Sequence, residues 1–298
     1  MNYGIPYKGS KNKIAKDIIS QLPSAEHFYD LFGGGGAMTH CALLSGKYKY
    51  IHYNELNPLV FKAFNMAVNG EFKNETRWIS REDFYALRDT DPYVAICFSF
   101  GNDMSTYCYS TDCEPLKKAI HFSIFFDDDS LLKEYIDLKD FRYSSENFKE
   151  RRLELKKYIQ SQSGLRNLNT RLQSLESLGR LENLERLDRL EKLDGMKIIA
   201  TNLSYDEVPI ESNSVIYCDP PYMDTTCSQY KCVFDHDRFH RFALEHDAFV
   251  SEVSVPEGFR IVWSRELYSK VSETGYTTRK ELLMLPKKTG YLNPLDDW

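Results

Sequence analysis

The sequence has no apolar run of membrane-spanning length, which excludes a membrane-spanning helix. Its first residues, Met1-Asn2-Tyr3-Gly4-Ile5-Pro6, lack the basic start and apolar stretch of a secretory signal, so the expected location is the cytoplasm. Positive charge is not in excess. Lys and Arg number 38 against 44 Asp and Glu, a net charge of −6. That argues against a protein that coats nucleic acid non-specifically, but a local basic patch still suffices for a nucleic-acid enzyme. Zinc-type cysteine spacing is also missing. The seven cysteines are an odd, scattered set, as expected of reduced thiols. Cys108/Cys113 and Cys227/Cys232 each enclose four residues, wider than typical zinc spacing, and no histidine pattern accompanies them. No metal is expected.

Two nucleotide-binding signatures are missing as well. Phe32-Gly33-Gly34-Gly35-Gly36 sits where a strand meets a helix, but the third glycine of a dinucleotide fingerprint falls on Thr39 or Met38. Gly4-Ile5-Pro6-Tyr7-Lys8-Gly9-Ser10-Lys11 has Ser and Lys in the wrong order for a phosphate loop, and no strand precedes it.

What is present is an α/β pattern. Strands are expected over residues 26–32, 48–53, 94–100, 196–202, 215–218, 259–263 and 277–285. Helices are expected over 37–44, 57–68, 81–88 and 236–250. The order implies a doubly wound sheet built from residues 1–100 and 196–298, with a charge-rich, mostly helical insertion over 101–195. Within the insertion, the low-complexity stretch 165–193 carries Leu172, Leu175, Leu178, Leu181, Leu184, Leu187, Leu190 and Leu193, one at every third position. On an α-helix each would slip about 60° from the last, so the run makes neither a stable apolar face nor a heptad seam. A leucine-zipper partner site is therefore disfavoured.

Ser214-Val215-Ile216-Tyr217-Cys218 reads as a buried strand that runs into Asp219-Pro220-Pro221-Tyr222. Two prolines end the strand and hold an acid and an aromatic ring rigidly at its carboxyl end, where open α/β sheets keep their sites. Such a turn also occurs on ordinary surfaces. It is nevertheless suited to gripping an exocyclic amine: Asp219 and the Pro220 carbonyl accept hydrogen bonds while Tyr222 stacks on the base. Glu55 follows the second strand at the position where such folds bind ribose hydroxyls; the alternative is that it caps the helix starting at Asn57. A cofactor with ribose but no phosphate, S-adenosylmethionine, fits the glycine loop and this acid together.

These segments resemble the Dam-type DNA adenine methyltransferases, phage-encoded members included. Asp219-Pro220-Pro221-Tyr222 is similar to the family's catalytic motif, and Asp30-Leu31-Phe32-Gly33-Gly34-Gly35 to its cofactor loop. Pro6-Tyr7-Lys8-Gly9-Ser10-Lys11 resembles the amino-terminal segment that folds over the cofactor, and Asn54-Glu55-Leu56-Asn57-Pro58 the ribose motif. The order of the motifs is that of the alpha arrangement of amino-methyltransferases. The resemblance implies a Rossmann-like methyltransferase fold with an inserted target-recognition region. It further implies methyl transfer from S-adenosylmethionine to adenine N6 in double-stranded DNA after base flipping. It implies cofactor contacts from Tyr7, Lys11, Phe32, Gly33, Gly34, Gly35, Glu55 and Asp219. Ser204 and Tyr205 stand where the family often has Asp-Phe beside the cofactor adenine. DNA contacts are expected from Arg151, Arg152, Arg166 and Arg171, and from Tyr230 and Phe234 after the catalytic turn; Phe234 reads equally as a core anchor. A monomer is expected, with a cognate restriction endonuclease as a candidate partner. The alternatives are N4-cytosine in DNA, adenine in RNA, and a catalytically idle DNA-binding homologue.

Overall fold

The computed structural model describes residues 2–73, 75–161, 189, 197–222, 234–270 and 276–288. The chain divides into two compact units, Met1–Asn69 with Leu190–Trp298, and Gly70–Arg189.

The first unit holds one seven-stranded sheet in the order β3-β2-β1-β4-β5-β7-β6. The strands are β1 (His27–Asp30), β2 (Tyr50–Asn54), β3 (Ile198–Thr201), β4 (Ser214–Cys218), β5 (Phe249–Glu252), β6 (Phe259–Lys270) and β7 (Tyr276–Pro286). Neighbours from β3 to β5 pair in parallel, and β7 lies antiparallel between β5 and β6. β1 and β4 are buried almost throughout, as parallel strands covered on both faces must be. On one face Phe28, Ile51, Val215 and Tyr217 pack with Ile18, Ile19, Met38 and Cys41 from α1 (Ala15–Gln21) and α2 (Ala37–Ser45). On the other, Tyr29, Ile216 and Val250 pack with Phe239, Phe242 and Ala243 of α8 (His236–Glu245). This is the Rossmann-like, doubly wound α/β sheet that the sequence implies.

The helix entrances have local causes. Asn57 caps α3 (Pro58–Val68), its side chain accepting from Leu59 N at 3.0 Å, and Pro58 fills the first helical position, where no amide hydrogen is needed. Gly36, at φ 69°, turns the chain into α2; a side chain there would be strained and would meet the Phe64 ring.

The second compact unit starts at Gly70, ahead of the boundary at residue 100 that the sequence suggests. Residues 76–81 are bound to the segment that follows: His121 Nε2 lies 2.7 Å from the Thr76 carbonyl, the Tyr107 hydroxyl donates to the Ile79 carbonyl at 2.9 Å, and Trp78 stacks on Tyr109. The strand expected over 94–100 is instead a helix. After α4 (Arg81–Leu87) comes α5 (Pro92–Cys97), capped by Asp91, whose side chain accepts from Tyr93 N at 3.0 Å. A short apolar run buried on all sides has no period to separate helix from strand. The unit continues with α6 (Glu114–Phe126) and α7 (Phe148–Ser161), around a core that includes Leu116, Ile124, Leu132, Phe141 and Leu155. The leucine-repeat positions from Leu172 to Leu193 lie outside the described residues.

A second correction concerns 236–250, expected as one helix. α8 stops at Glu245, Asp247 turns the chain at φ 51°, and Phe249 opens β5.

Candidate active site

In the strand order, β1 leads to β2 and β3 on one side, while β4 and β5 lie on the other. The winding therefore reverses between β1 and β4, which is where open α/β sheets bind ligands. Asp30 pairs with both Tyr53 and Tyr217, so β1, β2 and β4 end at one level. The glycine loop, Glu55 and Asp219 are the continuations of these three strands.

The loop is tied to the amino-terminal segment. Ile5 N donates to the Gly35 carbonyl at 2.7 Å, and a Cβ on Gly35 would lie 2.6 Å from the Ile5 oxygen. Tyr7 rests on the same backbone: a Cβ on Gly34 would meet its ring at 3.1 Å. The tight loop thus has a structural reason in the chain itself. Gly33 N donates to the Asn54 carbonyl at 2.7 Å, and the Tyr53 hydroxyl to the Gly34 carbonyl at 2.8 Å.

Glu55 is 2% exposed, and burial raises its pKa against two backbone bonds that lower it. Oε2 accepts from Gly34 N at 2.8 Å and Oε1 from Asn57 N at 2.7 Å. The side chain thus joins the glycine loop to the start of α3, although the cap of α3 is Asn57. Each carboxylate oxygen keeps lone pairs for further donors, an acceptor set that suits the hydroxyls of a diol. Asn54, which the sequence reading did not single out, braces the floor. Its amide donates to the carbonyls of Leu31 and Leu203, and its oxygen accepts from Leu203 N at 3.1 Å.

Ser204 and Tyr205 follow β3 next to this floor, where Asn202 donates to the Glu55 carbonyl at 2.6 Å. The Ser204 hydroxyl donates to Asp206 Oδ1 at 2.5 Å, while Tyr205 stacks on Phe32 with centroids 5.3 Å apart. Phe234 joins that aromatic cluster, 5.9 Å from Phe32 and 5.7 Å from Phe239. Its packing supports the core-anchor reading rather than the DNA-contact one.

At the end of β4, Cys218 is fully buried, and burial pushes its thiol well above the usual range, so it is no nucleophile. Asp219 Oδ1 accepts from Lys11 Nζ at 2.7 Å, and the Tyr222 hydroxyl accepts from the same nitrogen at 2.6 Å. Lys11 thus stands at the Asp-Pro-Pro-Tyr turn, although the sequence places it among the cofactor residues. Sequence reasoning missed Glu281 of β7, whose side chain is fully buried with Oε1 3.3 Å from Lys11 Nζ. An acid at the head of the apolar run Leu282-Leu283-Met284-Leu285 was the one available signal. Burial first, then Asp219 and Glu281, raise the Tyr222 pKa, so the phenol stays protonated.

Asp30, 1% exposed, accepts from Thr39 N at 3.0 Å and Thr39 Oγ1 at 2.7 Å, yet burial raises its pKa to about 7. Unfolded, the group ionises near pH 4, an ordinary value of about 3.9. Through the window up to about pH 7 the unfolded chain has lost a proton that the folded protein keeps, so this carboxyl removes stability as pH rises. Comparing urea unfolding of the wild type and Asp30→Asn should show the wild type losing ground across that window and levelling above it. A difference independent of pH would contradict the buried-acid account.

Of the expected DNA contacts, Arg151 is held inside the second unit. Its guanidinium donates to the Ser145 carbonyl at 2.7 Å and the Ile124 carbonyl at 3.2 Å and lies over the Tyr143 ring. This disfavours Arg151 as a reader of DNA, because its donors already serve the fold. Arg152 is half-buried one residue further along α7. Arg166, Arg171 and Tyr230 lie outside the described residues. Among the described residues, no group of three or more His, Cys, Asp or Glu side chains is arranged to hold a metal, and no helix is long and apolar enough to cross a membrane.

No curated protein matches the chain. The family model of the D12 class N6 adenine-specific DNA methyltransferases matches residues 7–176. That stretch carries Tyr7, Lys11, the glycine loop and Glu55, while Asp219–Tyr222 lies beyond it. The match spans more than half of the sequence, and the chain belongs to the D12 class of N6 adenine-specific DNA methyltransferases.

Proposed function

We propose that this adenine-specific DNA methyltransferase uses S-adenosylmethionine and works on an adenine flipped out of the duplex. The observation that carries the reading is the meeting, at the winding reversal, of a glycine loop, a buried acid after β2 and the Asp-Pro-Pro-Tyr turn after β4. When bound, the cofactor supplies a methyl group on a positively charged sulfur. Glu55 would take the ribose hydroxyls, and Phe32 and Tyr205 would border the adenine.

Asp219 and the Pro220 carbonyl accept hydrogen bonds from the N6 amino group, and the Tyr222 ring stacks on the base. Two acceptors on one amine hold its nitrogen in place and direct the lone pair towards the methyl. Transfer is direct, without a covalent enzyme intermediate, and positioning and electrostatics supply the acceleration. A base can be gripped in this way only outside the stack, which is why flipping belongs to the proposal. The Gly70–Arg189 unit is proposed to read the target sequence.

The test is transfer of labelled methyl from S-adenosylmethionine to unmethylated DNA, followed by digestion to nucleosides, with Asp219→Ala alongside. Label in N6-methyladenine that the variant loses supports cofactor, reaction and residue together. Label in N4-methylcytosine overturns the substrate, and label in neither overturns the proposal.

A further inference from the structure

Lys11 and Glu281 stand beside the Asp219–Tyr222 turn without a role in the amine clamp. Lys11 Nζ donates to Asp219 Oδ1 at 2.7 Å and to the Tyr222 hydroxyl at 2.6 Å, and lies 3.3 Å from Glu281 Oε1. The Tyr222 hydroxyl in turn donates to that same Glu281 oxygen at 2.5 Å. The Lys11 side chain is 6% exposed and the Glu281 side chain 0%. Burying an acid this completely is costly unless it is paired and hydrogen-bonded, and both the ammonium and the phenol meet that need.

An N–H donor close to Asp219 Oδ1 is what the target amino group must become. The Lys11 ammonium occupies that acceptor in this structure. A neutral amine displaces an ammonium from a carboxylate poorly, because the charge-assisted bond is the stronger one. Displacement becomes easy if a second carboxylate already stands beside the same nitrogen. Glu281 meets that condition, with Tyr222 shared between the two positions.

We propose that Glu281 is a positioning residue for methyl transfer: it takes the Lys11 ammonium over from Asp219 as the base enters, and steadies the Tyr222 ring through its hydroxyl. This rests on the reading of Asp219–Tyr222 as the amine clamp. Among the described residues, the other titratable groups around the cluster are Asp30 on β1 and Tyr217 and Cys218 on β4. The Tyr217 hydroxyl is bonded to Ser251 at 2.7 Å, and burial keeps Tyr217 and Cys218 neutral. Asp30 is common to every variant below, so its titration cancels in the comparisons.

The experiment compares the wild type, Glu281→Gln, Lys11→Met and the double variant in single-turnover methyl transfer over the pH range in which each stays folded. Melting midpoints and S-adenosylmethionine binding serve as checks on folding. In Glu281→Gln, Asp219 remains as the carboxylate bonded to Lys11, and kcat is expected to fall about 10- to 100-fold with KM for DNA within about threefold. In Lys11→Met, Asp219 and Glu281 face each other without the ammonium, so the acid side of the rate profile moves to higher pH. The double variant removes that repulsion and moves the profile back towards the wild type, an effect that a merely structural role would not produce. Fluorescence of 2-aminopurine, placed at the adenine that the wild type methylates, reads base entry without methyl transfer; its rise should be weaker in Glu281→Gln. An unchanged kcat in Glu281→Gln overturns the inference, as does an acid limb that stays in place in Lys11→Met. If the wild type labels N6-adenine while Glu281→Gln is unaffected, this inference alone fails. If the wild type labels no DNA, the amine-clamp reading has failed and the inference falls with it.

Discussion

Asp219→Ala should lower kcat about 10³-fold, or about 4 kcal/mol of transition-state stabilisation, while S-adenosylmethionine affinity changes by no more than about threefold. The carboxylate is the charged acceptor of the proposed clamp, and its loss leaves the amino group with the Pro220 carbonyl alone. Its removal also frees the Lys11 ammonium to settle on Glu281, 3.3 Å away, so the variant keeps a paired interior and should fold. Single-turnover kinetics at saturating DNA and cofactor, with separate binding of cofactor to the free protein, measure both quantities. A variant that keeps more than a tenth of the wild-type rate would remove Asp219 from the reaction.

The second large effect is expected on binding rather than rate. Glu55→Gln should weaken S-adenosylmethionine about 10- to 150-fold, the range for losing a hydrogen bond to a charged group worth about 1.5–3 kcal/mol. Two features of the structure set that expectation. The side chain is buried and fixed by Gly34 N and Asn57 N, so its free lone pairs have a set direction. The amide also replaces one acceptor oxygen with a donor, which then faces either a backbone N–H or a ribose hydroxyl. Calorimetric titration of cofactor into the two proteins decides the matter, and equal affinities would assign Glu55 to the loop alone.

Much of this arrangement was legible because it is local. An apolar stretch ending in two prolines announces both the end of β4 and the rigid turn after it. Four glycines between β1 and α2 announce a close backbone approach, found between Gly35 and Ile5. The acid after β2 was found by its distance from the loop. What remained hidden has physical causes. The run from Val94 to Phe98 is buried on all sides, and burial erased the period that separates helix from strand. β5 was absorbed into the helix before it, because Phe249 and Val250 extend the apolar pattern of α8 across a turn made by Asp247. Glu281 is joined to Lys11 and Tyr222 only by the folded sheet, so no spacing in the sequence connects them. The start of the second compact unit was hidden for a related reason: the bonds of Thr76 and Ile79 to His121 and Tyr107 join segments far apart in sequence.

The ionic cluster also bears on the timing of synthesis. Lys11 leaves the ribosome well before Glu281, which follows it at a distance along the chain. The glycine loop, its amino-terminal strap and Glu55 are bonded to one another within residues 5–55, but the counter-charge beside the Asp219–Tyr222 turn arrives only with β7. A nascent or prematurely terminated chain lacking β7 would hold the Lys11 ammonium on Asp219 without the second carboxylate that draws it away. On the inference drawn from Glu281, such a chain blocks its own amine site, and modification of DNA waits until β7 has been made.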